Sequence, residues 1–407
     1  MKKIVFFLRH NNDIDHISPV IYKWILTKNI ATDVIITSKR ELLEDYRIKY
    51  LKMISKGRTD INFYYITDLL STKLKWDYNL CQFYSKHKYL KKFTRVEGAT
   101  KKIVYYLISR HFRDVSLFCF DWTADYFTRT FCTFARSLNI PTVALPHGGG
   151  EPYWNKIQRE QDINYQQSLI PYSKRSFFDY IIVPSNPCAE CYPNMKEGQI
   201  KIFGSTRFCD EWLEIHNKIK PKDNNLLTHP QILKVVLFMR NKHWSINWKE
   251  VEVTIKLITQ YAEIFLIVRN HPRGTMTYDL LKNHKWMRSQ GNLLVDNKIN
   301  SSVLMDWADV VLELGTSVCW ESIKNNKPTL MLEHLHANVS TVAHYMPKTI
   351  IHSRDELLDA MRKFHKKKTR KWCKEKRRQR FIKEIIDYPD KNVLERYCNF
   401  LESLLNE

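Results

Sequence analysis

Several residues that could carry out chemistry follow short apolar runs, where buried strands would end. His147 follows the run TVAL and precedes three glycines, Asp121 ends the run SLFCF, and Glu151 comes just after the glycines. A histidine or carboxylate in such a place can remove the proton of an acceptor hydroxyl. We rank His147 first as the general base, then Asp121 and Glu151, with Asp13 in the polar stretch after the first strand as a further candidate. Each of them is also compatible with a helix cap or a turn.

The stretch LELGTSVCWESIKNNKPTL carries a second group of polar residues. Gly315 permits a tight turn after a strand, and Thr316 and Ser317 are predicted to begin a helix. The unpaired N–H groups and dipole of a helix start suit a phosphate. Glu321 lies one turn after Ser317 and could accept hydrogen bonds from vicinal sugar hydroxyls. A capped helix without a ligand is the alternative.

Basic residues follow two further apolar runs. The run FLIVRNHPRGTM places Arg269, His271, Pro272 and Arg273 at a strand end, where they could meet a phosphate. Pro272 restricts His271 to an extended conformation and so fixes the direction of its imidazole. Arg240, in FMRNKHW, could reach the same phosphate from the adjacent strand, although a plain surface loop is equally compatible with this segment.

Thirteen short apolar runs separated by helix-length spacers predict the elements that position these residues. Continuous apolar runs, rather than alternation, are typical of strands buried on both faces of a parallel sheet. Ser18 and Pro19 are predicted to be the N-cap and first residue of the helix after the first strand. The predicted strands are 3–8, 33–37, 62–66, 116–120, 142–145, 179–183, 200–204, 234–239, 264–268, 292–295, 310–314, 329–332 and 349–351.

This order predicts an α/β protein with two Rossmann-like, doubly wound domains facing across a cleft and a helical tail at the C-terminus. The length of 407 residues also favours two domains. We expect an N-terminal Rossmann-like domain over 1–205, a linker over 206–232, a second Rossmann-like domain over 233–354 and a basic helical tail over 355–407.

The second half of the chain resembles a known superfamily. The phrase ADVVLELGTS, followed by Glu321 and NNKPTL, is similar to the donor domain of GT-B glycosyltransferases. In that superfamily the serine turn contacts the phosphate and the glutamate contacts the nucleotide ribose. The pair His271-Pro272 with a downstream Ser/Thr turn resembles the subset that uses cytidine-activated donors, namely bacterial sialyl-, polysialyl- and Kdo-type transferases and the CDP-polyol phosphotransferases. The match covers residues 234–333 and is looser in the N-terminal half. The resemblance implies that 233–354 is the nucleotide-donor domain and 1–205 the acceptor-side domain.

Two details qualify and extend the resemblance. Asn326 stands where the superfamily usually has glycine, so the turn that follows could differ. His147 and the glycine after it resemble a segment of CDP-polyol transferases and capsule enzymes in which the histidine lies at the reaction centre.

Composition points to a cytoplasmic protein with an affinity for anions. No apolar run is long enough for a membrane helix, the first apolar run ends too early for a secretion signal, and nine scattered cysteines suit reduced thiols. The net charge of +22 favours polyanions. Basic clusters lie at Lys86–Lys102 and Lys366–Arg380. The second, with Trp372 and Phe381 interleaved, is predicted to contact an anionic membrane surface, or else to form a solvated helix face.

Other classes lose support for lack of their motifs. The sequence has no Walker A loop, HExxH, GxSxG or GxGxxG. Cys188 and Cys191 form a lone C-x-x-C without further ligands at suitable spacing, so we interpret them as structural thiols and expect no metal site.

The resemblance therefore predicts a metal-independent glycosyltransferase that requires no cofactor. It would move a sugar, with a CMP-activated Kdo- or sialic-type acid favoured, to a hydroxyl of a glycan or glycolipid such as lipopolysaccharide or capsule. A peripheral position at the inner face of the cell membrane would fit such an acceptor. The alternatives are a CDP-polyol phosphotransferase, a UDP-sugar enzyme or a GT-B-like epimerase. A basic nucleic-acid-binding protein is the alternative of another class, although no signature of specific nucleic-acid binding appears.

Overall fold

The chain forms two compact α/β units, seen in a computed structural model. The first unit comprises the chain up to Gly148, a stretch that ends at Ile219, and the end of the chain from Asp387; the second runs from Lys220 to Ile386. The structure describes residues 2–86, 94–122, 125–148, 175–222, 226, 232–240, 246–271, 286, 290–296, 298–338, 340–367 and 371–406.

A parallel sheet of seven strands forms the centre of the first unit, in the order β3-β2-β1-β4-β5-β6-β7. The strands are β1 (Lys3–Leu8), β2 (Ala31–Ile36), β3 (Ile61–Tyr65), β4 (Leu117–Asp121), β5 (Thr142–Leu145), β6 (Tyr180–Val183) and β7 (Ile200–Ile202). The helices are α1 (Asn11–Thr27), α2 (Tyr46–Ile54), α3 (Thr72–Lys86), α4 (Thr94–Arg110), α5 (Tyr126–Ser137), α6 (Asn186–Ala189) and α7 (Asp210–Ile219).

Six parallel strands form the sheet of the second unit, in the order β10-β9-β8-β11-β12-β13. They are β8 (Leu233–Phe238), β9 (Ile264–Arg269), β10 (Leu293–Asp296), β11 (Val310–Glu313), β12 (Thr329–Leu332) and β13 (Ile350–Ile351). The helices of this unit are α8 (Trp248–Thr259), α9 (Ser301–Trp307), α10 (Cys319–Lys324), α11 (Thr341–Tyr345), α12 (Arg354–Lys366) and α13 (Glu375–Phe381). The prediction of two doubly wound parallel sheets is confirmed.

Both faces of each sheet are covered, as the continuous apolar runs predicted. Along β1, Ile4 and Phe6 pack into a core with α1 and α2, whereas Val5 and Phe7 pack into a second core with α4 and α5. Successive side chains of a strand point to opposite faces, so a strand without alternation must be buried twice. None of the helices that the structure describes is long and apolar enough to cross a membrane.

The C-terminal tail is divided between the two units. Helix α14 (Val393–Asn406) returns to the first unit, packs against α1 and buries Tyr397, whose hydroxyl donates to the carbonyl of Gly204 at 2.9 Å. Residues up to Ile386 stay with the second unit. The expected linker contains α7, which buries Trp212 in the first unit and is therefore part of its core.

The prediction for the start of α1 is wrong. The helix begins at Asn11, so Ser18 and Pro19 are interior residues. A side chain far from Pro19 decides the start, because the Asp13 carboxylate accepts hydrogen bonds from the backbone N–H groups of Arg9 and His10 at 2.7 and 2.8 Å. Such a carboxylate satisfies donors that a helix start leaves unpaired. Asp13 consequently lies in the first turn of a helix and not in a loop.

Candidate functional site

The first group of polar residues lies where the strand order of the first sheet reverses. The chain runs from β1 outward through β2 and β3, and then returns to place β4 and β5 on the other side of β1. Ligands of open α/β sheets bind at the carboxyl ends of the strands beside such a reversal. Arg9 follows β1, Asp121 ends β4, and His147 comes two residues after β5.

The structure brings His147 together with two buried carboxylates. Its Nδ1 lies 2.7 Å from Oδ1 of Asp13 and 3.1 Å from Oδ2 of Asp121. The Asp13 side chain is fully buried, whereas that of His147 is 20% exposed and so can be reached from outside. Burial alone would lower the pKa of His147, but hydrogen bonds to Asp121 and Asp13 outweigh it and raise this pKa above its ordinary value.

The start of α1 holds both partners of the contact between His147 and Asp13. The second oxygen of Asp13 is held by the N–H groups of Arg9 and His10 at the start of α1. The Asn12 amide donates to the backbone carbonyl of His147. The imidazole and its carboxylate are therefore tied to the same helix turn, which favours one ring orientation.

Arg9 balances the negative charge of this group. Its Nη1 lies 3.1 Å from Oδ2 of Asp125, and its Nη2 lies 3.4 Å from Oδ2 of Asp121. Burial disfavours the guanidinium charge, but the carboxylates of Asp121, Asp125 and Asp13 raise the pKa of Arg9 above its ordinary value. The group therefore joins three carboxylates to a guanidinium and an imidazole.

Asp13, Asp121 and His147 are also the residues of the described part of the chain that could hold a metal ion, because their ligand atoms lie within 4.8 Å of one another. The charges argue against this use. The Asp121 oxygen that faces His147 also faces the guanidinium of Arg9. A cation there would have to approach a permanent positive charge. That the protein works without a metal ion stays a prediction.

The second group lies at the reversal of the second sheet, where β8 and β11 are neighbours. Glu313 ends β11, and its side chain is fully buried. One carboxylate oxygen accepts hydrogen bonds from the N–H groups of Gly315 and Thr316, the latter at 2.7 Å. The other oxygen has no partner among the described residues. Burial raises the pKa of Glu313 to about 7, against the lowering effect of the two N–H groups and of Arg240.

The turn after β11, which we expected to bind a phosphate through its N–H groups, differs from the prediction. Gly315 has a φ of +78°, so a glycine is required there, as the sequence indicated. The helix, however, begins at Cys319 rather than at Thr316 and Ser317. The N–H groups of Gly315 and Thr316 are occupied by Glu313. A phosphate at this turn would therefore meet side chains, among them Arg240, whose Nη1 donates to the carbonyl of Gly315.

Glu321 is buried in the protein interior. Its side chain is only 2% exposed, and Oε2 accepts a hydrogen bond of 2.8 Å from the hydroxyl of Ser302 on α9. The position one turn after Ser317 thus faces another helix. This contact joins α10 to α9 across one face of the sheet.

The basic strand end is only partly described. Arg269 ends β9 with its guanidinium buried, and Nε lies 3.7 Å from Oδ2 of Asp296 at the end of β10. Burial lowers the pKa of Arg269 despite this carboxylate. His271 is half-buried, two residues beyond the strand. The predicted site residues Glu151, Pro272 and Arg273 lie outside the described residues.

Asn326 keeps the backbone conformation that a glycine would supply. Its φ is +53°, in the left-handed region that asparagine tolerates better than most residues. Its N–H donates to the carbonyl of Ile323, and its Oδ1 accepts from the indole N–H of Trp372 at 3.3 Å. The departure from the glycine of the superfamily pattern therefore preserves a left-handed turn.

The basic C-terminal cluster does not present its aromatic residues outward, which corrects the prediction. Phe381 is fully buried, and Trp372 packs partly buried against the core of the second unit. Arg378 is 8% exposed, pairs with Glu375 and donates to the carbonyls of Ile323 and Lys324 at the end of α10. Trp372, Arg378 and Phe381 therefore serve the fold.

Sequence reasoning missed Arg9, Asp125 and Glu313. The signal for Glu313 was available, because a carboxylate inside the apolar run VVLEL must be buried if that run is a central strand. Arg9 directly follows the first strand, which is the position we used to select His147. The pairing of Arg9 with Asp125 joins residues more than 100 positions apart, and no local pattern indicates it.

No protein-family model matches the chain, and no curated protein matches it. Solved structures do. The S. aureus MnaA–UDP co-structure is 11% identical, with a TM-score of 0.61 over 100% of this chain and 97% of that one. The UDP-GlcNAc 2-epimerase of Neisseria meningitidis bound to UDP-GlcNAc is 12% identical, with a TM-score of 0.61 and full coverage of both chains. A glycosyltransferase of Rickettsia africae is 12% identical, with a TM-score of 0.53 over 100% and 99%.

These similarities, which span the whole chain, establish the fold. The protein has the GT-B fold, with two α/β units that each contain a parallel sheet, as the resemblance in the second half of its sequence implied.

Proposed function

We propose that the protein is a GT-B enzyme that takes a sugar from a nucleotide-activated donor and transfers it to a hydroxyl acceptor. The observation that supports this most strongly is the contact of His147 with Asp13 and Asp121 at the reversal of the first sheet. A histidine oriented by buried carboxylates and still accessible is suited to general base catalysis.

In this reaction His147 would accept the proton of the acceptor hydroxyl. Its Nδ1 faces the two carboxylates, so Nε2 is the atom through which it would exchange a proton with a substrate. Asp13 and Asp121 would stabilise the imidazolium that forms and hold the ring in position. General base catalysis of this kind contributes about 10²- to 10⁴-fold to a rate.

The second unit would bind the donor. We assign the binding of the nucleotide phosphate to four residues at the carboxyl ends of neighbouring strands. Arg240 follows β8, Thr316 and Ser317 follow β11 and would use their hydroxyls, and His271 follows β9. Positive and hydrogen-bonding groups there would stabilise the departing phosphate, so no divalent ion would be required. Because its carboxylate already bonds to Ser302, we give Glu321 a supporting part in this unit rather than a contact with the ribose.

A uridine nucleotide is the donor that the structural comparisons favour. The similar structures include complexes with UDP and UDP-GlcNAc, whereas the cytidine assignment depends on His271-Pro272 alone. CMP-activated acids and CDP-polyols therefore become the alternatives. The acceptor would be a hydroxyl of a surface glycan such as lipopolysaccharide or capsule, an assignment that comes from the sequence resemblance.

A second candidate is epimerisation of the nucleotide sugar itself. It is favoured by the placement of two carboxylates beside His147 and by the TM-score of 0.61 with a UDP-GlcNAc 2-epimerase. Incubation with UDP-GlcNAc alone separates the candidates. An epimerase would produce the isomer without an acceptor, whereas a transferase would leave the sugar configuration unchanged.

A screen of nucleotides by thermal shift tests the proposed donor site. We expect UDP to stabilise the protein more than CMP, CDP, GDP or ADP, and the shift to shrink in His271→Ala. A preference for CMP or CDP would restore the cytidine assignment. Absence of stabilisation by every nucleotide would contradict the proposed function.

A further inference from the structure

Helices α3 and α4 carry an exposed surface with both aromatic and basic side chains. Trp76 on α3 is 67% exposed and Tyr105 on α4 is 62% exposed, the highest values among the aromatic residues that the structure describes. The two helices pack against each other on one face of the first sheet. We call the outward residues Lys73, Lys75, Trp76, Lys101, Lys102 and Tyr105 the α3–α4 surface.

Helical spacing places these residues on the outer sides of the helices. On α4, Lys101 and Tyr105 are one turn apart and exposed, while Ile103 and Leu107 are buried in the core. On α3, Trp76 and Lys75 are exposed, whereas Tyr78 is buried. Both helices thus use an apolar side for the core and keep an aromatic ring on the other side.

The lysines of this surface keep their charge unpaired within the part of the chain that the structure describes. Within the described part of the chain, no carboxylate forms an ion pair with Lys73, Lys75, Lys101 or Lys102. The C-terminal cluster differs, because Arg378 and Arg380 pair with Glu375 and Glu384 and the adjacent Phe381 is buried. Unpaired lysines beside exposed rings attract an extended anionic partner.

We propose that the α3–α4 surface docks on an anionic lipid bilayer. Tryptophan and tyrosine prefer the interface of a bilayer, where the ring contacts apolar chains and the N–H or O–H stays among the headgroups. Lysines beside them interact with anionic headgroups, at about 1 kcal/mol each near the surface. This inference does not depend on the proposed transfer reaction.

The test is sedimentation of the full chain with two kinds of vesicle. One consists of phosphatidylcholine alone, and the other contains about one-third phosphatidylglycerol, which is anionic. We expect binding only to the anionic vesicles, weakened by salt. The variant Lys101→Gln/Lys102→Gln should bind roughly 30-fold more weakly, and Trp76→Ser roughly tenfold more weakly.

The matched control is Lys366→Gln/Lys367→Gln, which removes the same charge from exposed residues of the C-terminal cluster. It should retain nearly all of the wild-type binding. Equal losses in the two double variants, or equal binding to neutral vesicles, would overturn the proposal. So would binding of poly-uridylate that is weakened by Trp76→Ser while vesicle binding is unchanged, because the surface would then be a nucleic-acid site.

Discussion

Both sheets place ionisable groups at the carboxyl ends of strands near the reversal of strand order, but the pKa values of these groups are shifted by opposite means. At the reversal of the first sheet, His147 is surrounded by charged partners, and the carboxylates of Asp13 and Asp121 raise its pKa in spite of burial. At the reversal of the second sheet, burial itself raises the pKa of Glu313, while its neighbours oppose the rise. The same topology therefore supports two kinds of site.

Each of the two sites is suited to a different task. A charged group with fixed opposite charges around it can gain and lose a proton while its orientation is kept, which suits acid–base chemistry. Glu313 accepts hydrogen bonds from the N–H groups of Gly315 and Thr316, so it fixes the backbone of the turn that would present a phosphate site. We infer that the first unit supplies the chemistry and the second the nucleotide binding.

Substitution of His147 should affect catalysis and leave nucleotide binding nearly unchanged. His147→Ala should lower kcat by about 10²- to 10⁴-fold, because the general base is lost. The Kd for UDP should stay within about twofold, a difference of less than 1 kcal/mol, because the proposed phosphate ligands lie in the second unit. Steady-state kinetics and calorimetric titration measure the two quantities, with His365→Ala, an exposed histidine of α12, as control. If His147→Ala also lost affinity for UDP, the assignment of catalysis to the first unit and of nucleotide binding to the second would be wrong.

Arg240→Ala should have the reverse signature. Loss of a charged hydrogen-bonding group from the phosphate site should weaken UDP binding by about 10- to 100-fold, equivalent to about 1.5–3 kcal/mol. The matched control is Arg362→Ala, an exposed arginine of α12 in the same unit that bonds to the hydroxyl of Tyr261. Unchanged UDP affinity in Arg240→Ala would remove this arginine from the donor site.

The pH dependence of protein stability in Glu313→Gln tests whether burial raises the pKa of Glu313. The folded pKa of about 7 exceeds the ordinary value of 4.5, so between these pH values the folded protein holds a proton that the unfolded chain has released. Stability must then fall as pH rises through this window and level off above it, by at most about 3 kcal/mol. Glutamine carries no such proton.

The variant should therefore melt at a higher temperature than wild type at pH 8, while the difference vanishes near pH 4.5, the ordinary value for this carboxyl group. Differential scanning calorimetry at both pH values gives the comparison. Glu356→Gln, which alters an exposed glutamate of the same unit, serves as control. If the difference in melting temperature did not change with pH, burial would not raise the pKa of Glu313.

Asn326→Ala should give the smallest effect. Alanine in the left-handed conformation costs about 1–2 kcal/mol, and the contact with Trp372 is lost as well. Asn326→Gly should be nearly neutral, because glycine accepts a positive φ. Chemical unfolding of both variants measures this order, and equal destabilisation by glycine and alanine would mean that the side-chain contact, rather than the backbone, governs the turn.

Much of the fold could be predicted from the sequence because the strands are buried on both faces. Runs such as KIVFFL and KVVLFM have to be central strands, and their ends indicate where polar residues converge. The helix start at His10 could not be predicted in the same way, since Ser18-Pro19 is a valid local start signal and the Asp13 carboxylate decides otherwise.

The sequence predicted which residues lie at the two sites but not the contacts that these residues make. The sequence selected His147, Asp121 and Asp13, but their mutual contacts join the ends of β4 and β5 to the first turn of α1 and depend on sheet order. The phosphate turn was selected too, although its N–H groups are used by Glu313, a residue that looked like part of an apolar run. Local patterns show which residues stand at a strand end and do not show which of them bond to each other.

The pH dependence of kcat/KM in wild type and in Asp121→Asn tests whether His147 is a general base controlled by its carboxylate partners. If His147 is a base whose pKa its carboxylates raise, activity in the wild type should fall on the acid side at a pH above the ordinary histidine value of 6.5. Removing one carboxylate charge should move that acid limb to lower pH and reduce the rate. An acid limb at the same pH in both proteins would contradict the account, because proton transfer would then not depend on the contact of Asp121 with His147.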